Sequence, residues 1–403
     1  MAENSRMMIA FFILVSLVIF GLMYGYIGFR LWPTLQPEGL WKVLYFSLLI
    51  VFTCLPILAL LLQIGGQECR AVDIIAGIGF FIMGFGSLVL VLFLARDLAW
   101  LAISGFGKVV DLFSQGNNPV KMDPARRSFI INLTNYSLVG LAGLGTLRGV
   151  IGILHRPTIF TVSIPVKNLP SELESMRIVQ ISDIHAGPTV KRKFVETVVT
   201  EVKKLKPDLV LFTGDAVDGT VDYLARDIEP LSDLKPPYGK FFVTGNHEYY
   251  SGVTAWTKEI ERLGFTVLTN SHQVVRYKDT DLLLVGITDP EARRMDPPNA
   301  PDLEKALENA PEHDIKILLA HQPSAIYSAA EQNIDVQLSG HTHGGQYWPW
   351  NVVVEWIQPY SKGLHKHGPT WIYVNRGTGY WGPPLRIGVP SEITLIKLVQ
   401  AQG

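Results

Sequence analysis

Long uncharged runs fill the first third of the chain, and short apolar runs broken by polar residues fill the rest. Arg6–Phe29 carries no charge after Arg6, Val43–Leu62 carries none, and neither does Ile74–Ala95. About twenty apolar residues cross a bilayer as a helix, so these three runs are predicted to span a membrane. Pro56 falls inside the second, where a membrane helix tolerates a kink. A fourth run, Ser128–Leu154, is less apolar and carries Asn132, Asn135 and Arg148. It reads either as a fourth span or as an interfacial, partly buried helix. In the connection Arg96–Arg127, the first half suggests an amphipathic helix at the interface. The second half, with Gly116, Asn117, Asn118, Pro119 and Pro124, reads as loop.

From His155 onward the period changes. "MRIVQISDIH", "DLVLFTGDAV", "KFFVTGNHE", "DLLLVGITDP", "IKILLAHQP" and "IDVQLSGHTH" each read as a buried strand ending in polar residues. "TIFTVSIPV" and "SEITLIKLV" add strands at the two ends of this region. "KRKFVETVVTEVKKLKP", "GVTAWTKEIERLGF" and "APDLEKALENAP" have helical spacing. The pattern predicts an α/β protein: a membrane domain over 1–154 with about four transmembrane helices, then a domain over 155–403 of sheets covered by helices.

Composition agrees with a membrane anchor. The 403 residues are 48% hydrophobic and 18% charged, and mean hydropathy is +0.23. A net charge of -1 removes the electrostatic case for nucleic acid as a partner. Cys54 and Cys69 are too few for a disulfide framework. Lysine and arginine set the orientation. Arg96, Lys108, Lys121, Arg126 and Arg127 follow the third run, Arg30 and Lys42 follow the first, and only Arg70 follows the second. With four spans, the connections after the first and third runs are cytoplasmic and the C-terminal domain is extracytoplasmic; without the fourth crossing the side reverses. "ARRSFII" at Ala125–Ile131 resembles a twin-arginine export signal, and the same arginines equally suit a cytoplasmic helix anchor. No small-residue cleavage site follows, so the segment is expected to remain as an anchor.

The chemistry gathers where the strands end, the position at which layered α/β folds bind ligands. Asp183 and His185 follow one strand, Asp215 and Asp218 the next, and Asn246, His247 and Glu248 a third. His321 follows another, and His341 and His343 the last. Carboxylate, imidazole and amide oxygen without thiolate suit divalent Mn, Fe or Zn. The donors suffice for two ions roughly 3.5–4 Å apart sharing one carboxylate. One-residue spacing in an extended segment would point His341 and His343 in different directions, each toward its own ion. Gly340 would let the backbone turn into the site.

D-x-H, GDxxD, GNH[DE], a lone His and GHxH, in this order over Met176–Val399, resemble the calcineurin-like metallophosphoesterase superfamily. The whole layout resembles its membrane-anchored branch. The resemblance implies a two-sheet β sandwich flanked by helices and two divalent ions. Asp183, His185 and His343 would hold one ion, Asn246, His321 and His341 the other, and Asp215 would bridge them. It implies hydrolysis of a phosphomonoester or phosphodiester by a metal-bridging hydroxide, with His247 contacting phosphate and assisting the leaving group. Glu248 is expected to orient His247, and Asp218 to be structural or to support the ligands.

Aromatic residues follow three of these motifs: Tyr249 and Tyr250, then Tyr347, Trp348, Trp350 and Trp356, then Tyr380 and Trp381. Tryptophan and tyrosine favour the membrane–water interface, so a phospholipid or lipid-linked phosphate beside the bilayer is one expected substrate class. The other reading is that they pack the sandwich. The resemblance also admits UDP-diacylglucosamine pyrophosphate hydrolases, which would require a cytoplasmic domain, and a non-catalytic metal-binding scaffold or sensor.

Overall fold

The structure is a computed structural model that describes residues 2–113 and 123–401; Gly116, Asn117, Asn118, Pro119 and Lys121 lie outside the described residues. The chain clusters into two compact units, Met1–Leu62 with Ile74–Arg148, and Gln63–Asp73 with Gly149–Gly403.

The first unit is built from α1 (Ala2–Leu35), α2 (Gly39–Ile64), α3 (Arg70–Phe113) and α4 (Pro124–Leu154), four helices long and apolar enough to cross a membrane. The third differs from its predicted extent. Arg96–Phe113 continues α3 without a break instead of forming a separate interfacial helix, since no proline interrupts it. A polar cluster ties α1, α3 and α4. Asp97 Oδ2 pairs with Arg30 at 2.5 Å, and Arg96 pairs with Asp97 Oδ1 at 2.8 Å. Asn135, fully buried, accepts from Arg96 and donates to the Arg30 carbonyl and Thr34 Oγ1. Each buried charge thus has an opposite partner, without which its desolvation would go uncompensated.

The second unit is a sandwich of two six-stranded sheets. The strands are β1 (Thr158–Val166), β2 (Ile178–Ile181), β3 (Leu209–Phe212), β4 (Lys240–Phe242), β5 (Thr266–Val267), β6 (Ser271–Tyr277), β7 (Thr280–Gly286), β8 (Ile315–Leu319), β9 (Val336–Ser339), β10 (Gly363–His367), β11 (Thr370–Val374) and β12 (Glu392–Gln400). The sheet orders are β1-β12-β2-β3-β4-β5 and β10-β11-β9-β8-β7-β6. β2 and β3 are short, wholly apolar but for Gln180, and buried along their length, as expected of strands covered on both faces. The predicted end strands meet: β1 pairs in parallel with β12 from Thr158 opposite Glu392 to Val166 opposite Gln400.

Ile178, Leu211, Val243, Leu284, Ile317 and Leu338 belong to the core between the sheets. α5 (Arg192–Lys204), α6 (Val221–Ile228) and α8 (Val253–Arg262) supply Val198, Leu224 and Trp256 to a second apolar layer over the first sheet. The short helices Leu303–Leu307 and Ile326–Glu331 supply Leu303 and Ile326 to the layer over the other. The architecture is therefore α/β, a helix-flanked two-sheet sandwich following four apolar helices.

Candidate metal centre

β2, β3 and β4 run parallel in one sheet, and β7, β8 and β9 run parallel in the other. In each sheet the loops that follow these strands therefore leave at one end, and they bring the candidate residues together. The backbone locks the first loops to one another. Asp183 N donates to Gly214 O at 2.9 Å, His185 N to Asp215 O at 3.1 Å, and Asp218 N to Ala186 O at 2.8 Å. Asp183, His185, Asp215, His341 and His343 all adopt left-handed φ of 50–70°. Non-glycine residues accept that conformation only where the surroundings enforce it, and such strain concentrates at functional sites.

The side chains form three groups whose donor atoms lie within 4.8 Å of one another: Asp183, His185 and His343; His185, Asp215 and His247; and Asp215, His321 and His341. His185 Nε2 faces His343 Nε2 at 3.0 Å, and Asp183 Oδ1 lies 3.5 Å from His343 Nε2. Asp215 Oδ2 lies 3.7 Å from His185 Nε2 and 3.0 Å from His321 Nε2, between the two clusters. His341 Nδ1 approaches Asn246 Oδ1 at 3.1 Å. All seven predicted ligand positions are thus gathered at one place.

The donor set fits divalent cations. His321 Nδ1 lies 2.7 Å from the Thr213 carbonyl, which fixes the proton there and leaves the lone pair on Nε2. That Nε2 is buried and, although 3.0 Å from a carboxylate oxygen, has no aligned hydrogen-bond partner. A divalent cation bound beside both atoms would satisfy that lone pair and the Asp215 carboxylate together. His185 Nδ1 lies 2.9 Å from Asp218 Oδ1, so its Nε2 is likewise turned to the centre. Imidazoles held by a second hydrogen bond are the usual form of metal ligand. Asp183, His185 and His343 would hold one ion and Asn246, His321 and His341 a second, with Asp215 shared.

Electrostatics separate the groups. Burial pushes the Asp183 carboxyl up. Burial works the same way on Asp215, but the His321 and His247 imidazoles override it and hold that carboxyl well below its usual range. For His247 burial favours the neutral ring, yet Asp215 and Asp218 push it up to about 9. Its Nδ1 lies 2.6 Å from Asp218 Oδ1. Burial and neighbouring imidazoles bring His341 down to about 3, which keeps it a neutral donor.

Three expectations are corrected. Glu248 does not orient His247. It stands third in the short helix α7 (Asn246–Ser251), and its carboxylate turns back to accept from the backbone amides of Asp215, Ala216 and Gly245 at 2.7–3.0 Å. A fully buried carboxylate finds its compensation in those donors. Asp218 takes the orienting role, and for two imidazoles. Second, the GHTH segment is not extended. After β9 it kinks through left-handed His341, αR Thr342 and left-handed His343 into a single 3-10 turn. The two imidazoles diverge by that kink, not by strand alternation. Gly340 serves close approach instead of a turn: a Cβ there would sit 2.2 Å from Asp183 Oδ2.

The sequence pattern did not disclose one neighbour, Arg386. Arg386, fully buried, donates to the carbonyls of Arg376 and Gly379 and approaches His343 Nδ1 at 3.2 Å. The Trp381 ring lies 5.5 Å from the His247 ring, with Tyr250 at 5.3 Å on the same imidazole. Arg386 comes from irregular chain, where no periodicity announces it, whereas Tyr250 and Trp381 are among the aromatics that follow the motifs.

A buried Asp, His and Asn centre at the strand ends of a helix-flanked double sheet defines a metallophosphoesterase-type protein. Residues 176–345 match the profile described as Calcineurin-like phosphoesterase, and the chain belongs to that family. It is 42% identical over 261 residues to "Transmembrane protein with metallophosphoesterase domain" of Danio rerio, covering 63% of this chain and 60% of that protein. It is 40% identical over 273 residues to an uncharacterized metallophosphoesterase of Helicobacter pylori, covering 66% of this chain and 72% of the relative. The bovine "Transmembrane protein with metallophosphoesterase domain" is 40% identical over 271 residues, covering 64% and 61%. The chain thus spans about three fifths of the two vertebrate relatives.

Proposed function

We propose that this chain is a membrane-anchored, divalent-metal-dependent phosphoesterase acting on a phosphate ester carried at the bilayer surface. The observation that carries the catalytic part is the convergence of His185, His343, His321 and His341 on Asp183 and Asp215, with the buried His321 Nε2 turned to Asp215 Oδ2 at 3.0 Å. Two bound cations, which we take to be Mn, Fe or Zn, would neutralise phosphoryl oxygens and acidify a water for attack. The chain's own residues do the rest. Asp183 and Asp215 supply the negative charge that binds cations, Asp218 fixes the His185 and His247 rings, and His247 delivers a proton to the departing oxygen.

The lipid part rests on the wall beside His247. Trp381 and Tyr250 are half-exposed there. The loop that carries Trp381 continues to Arg386, whose amide donates to the Gly149 carbonyl in the last turns of α4 at 3.1 Å. The aromatic wall is therefore continuous with the chain leaving an apolar helix. The same topology supports an extracytoplasmic domain. Gln63–Asp73, the α2–α3 connection with the helix ends beside it, folds with the phosphoesterase unit, which favours a paired crossing by α3 and α4, and the basic residues favour cytoplasmic placement of the other connections.

The catalytic reading is tested with full-length protein in detergent, supplied with Mn and bis-p-nitrophenyl phosphate. Asp215→Asn and His247→Ala are each expected to lower kcat by about 10²-fold or more. Tight Mn binding by the wild type without turnover across monoesters and diesters would instead identify a metal-binding scaffold.

A further inference from the structure

Asp218 is the hub of the imidazole network, and the turn that carries it is held by a segment distant in sequence. Asp218 Oδ1 serves both His185 Nδ1 and His247 Nδ1. The next two residues are held at both backbone amides and at the Gly219 carbonyl. Gly219 N donates to Ser251 Oγ at 3.1 Å and Gly219 O accepts from Trp256 Nε1 at 2.8 Å. Thr220 N donates to Glu68 Oε1 at 2.6 Å, and Thr220 Oγ1 donates to Glu68 Oε2.

Glu68 belongs to the connection between α2 and α3, some 150 residues before the turn. Thr220 is the residue preceding α6, and its own side chain caps nothing in that helix. The Glu68 carboxylate therefore places a second anion, beside Asp222, at the positive end of the helix and accepts from the N-cap amide. The fit leaves no slack: a Cβ on Gly219 would come within 2.5 Å of Glu68 Oε1 and 2.9 Å of a Leu224 methyl. Asp73, in the first turn of α3, adds a second tie, accepting from Tyr223 OH at 2.8 Å and pairing with Lys191 at 2.9 Å. Gln63, Glu68, Asp73, Asp218 and Tyr223 line one small cavity between the connection and the turn.

We propose that Glu68 is a positioning residue for the centre: by fixing Thr220 it sets the Asp218 carboxylate, and through Asp218 the His185 and His247 rings. The assignment rests on the phosphoesterase reading for its kinetic consequence, but not for its effect on cation binding by His185. It also makes the α2–α3 connection part of the machinery and not a passive link between spans.

The test is a double-mutant cycle in full-length protein: wild type, Glu68→Ala, Asp218→Asn and the double variant, with Glu68→Gln as the conservative control. Four quantities are measured: kcat and KM on bis-p-nitrophenyl phosphate, Mn affinity by calorimetry, and thermal midpoint. Glu68→Ala is expected to lower kcat and Mn affinity roughly tenfold each, as loss of a ligand-supporting contact does, with KM within about twofold. Glu68→Gln, whose amide oxygen still accepts from Thr220 N, is expected to restore most of both. In the Asp218→Asn background Glu68→Ala is expected to cost nothing further, since coupled residues are not additive. Equal losses in both backgrounds, or unchanged kcat and Mn affinity in Glu68→Ala, would overturn the proposal. A fall in thermal midpoint with unchanged Mn affinity would overturn it as well, leaving a structural role only. If wild type shows no turnover, the phosphoesterase reading fails, and the Mn affinities of the cycle still decide the positioning role.

Discussion

His321 and His185 show how a single hydrogen bond decides what an imidazole can do. The Thr213 carbonyl and the Asp218 carboxylate each hold a ring by Nδ1, which commits the opposite nitrogen to the centre. The GNHE motif shows the reverse risk. Glu248 sits beside His247 in sequence, yet helix geometry sends neighbouring side chains apart, so the carboxylate faces backbone amides. Away from the centre, Lys240 is a buried cation whose Nζ donates to the Leu231 carbonyl at 2.9 Å. Burial pulls its pKa down from 10.5 to about 8. Between those values the unfolded chain binds more protons than the folded one, so the contribution of Lys240 to stability rises as pH increases from about 8 to 10. Thermal melts of wild type and Lys240→Met at pH 7 and pH 10 check this. The difference should move in favour of wild type at the higher pH, and an unchanged difference would contradict it.

At the scale of elements, the aromatic residues divide by position. Tyr249, Tyr347 and Tyr380 are buried and serve packing, whereas Tyr250, Trp348, Trp350, Trp356 and Trp381 are exposed. The helix Trp350–Ile357 presents Trp356 and Ile357 almost bare, at 81% and 72% exposure, an unusual cost for a protein surface unless an apolar phase receives it. Trp348→Ala with Trp350→Ala, in nanodiscs, is expected to lower kcat/KM on phosphatidic acid about tenfold, the loss of part of one or two buried indoles. Hydrolysis of soluble bis-p-nitrophenyl phosphate should stay unchanged. Equal effects on both substrates, or on neither, would sink the bilayer-surface reading. The strands bearing the motifs were legible because contiguous apolar runs ended in Asp, His or Asn. β6 and β10 were not, since they mix polar and apolar residues without strict alternation and form by pairing with neighbours already in place.

For the whole molecule, Cys69 offers a direct reading of sidedness. It is exposed and lies in the connection that folds with the phosphoesterase unit. A membrane-impermeant maleimide applied to intact cells is expected to label it, in a Cys54→Ser background, if the unit is extracytoplasmic. Labelling only after lysis would place the unit in the cytoplasm and revive nucleotide-linked lipid substrates. The apolar runs, the α/β alternation, the ordered Asp, His and Asn motifs and the family were all readable in the sequence, because each depends on local composition or on fixed short spacing. Tertiary structure decided what spacing cannot carry. It made Asp218 the partner of two imidazoles, turned Glu248 to the backbone, diverged His341 from His343 by left-handed kinks, and brought Glu68 from an interhelical connection to Thr220. Those contacts join residues from different strand ends and from chain far apart in sequence, and only the packing of the two sheets and their helices sets the distances between them.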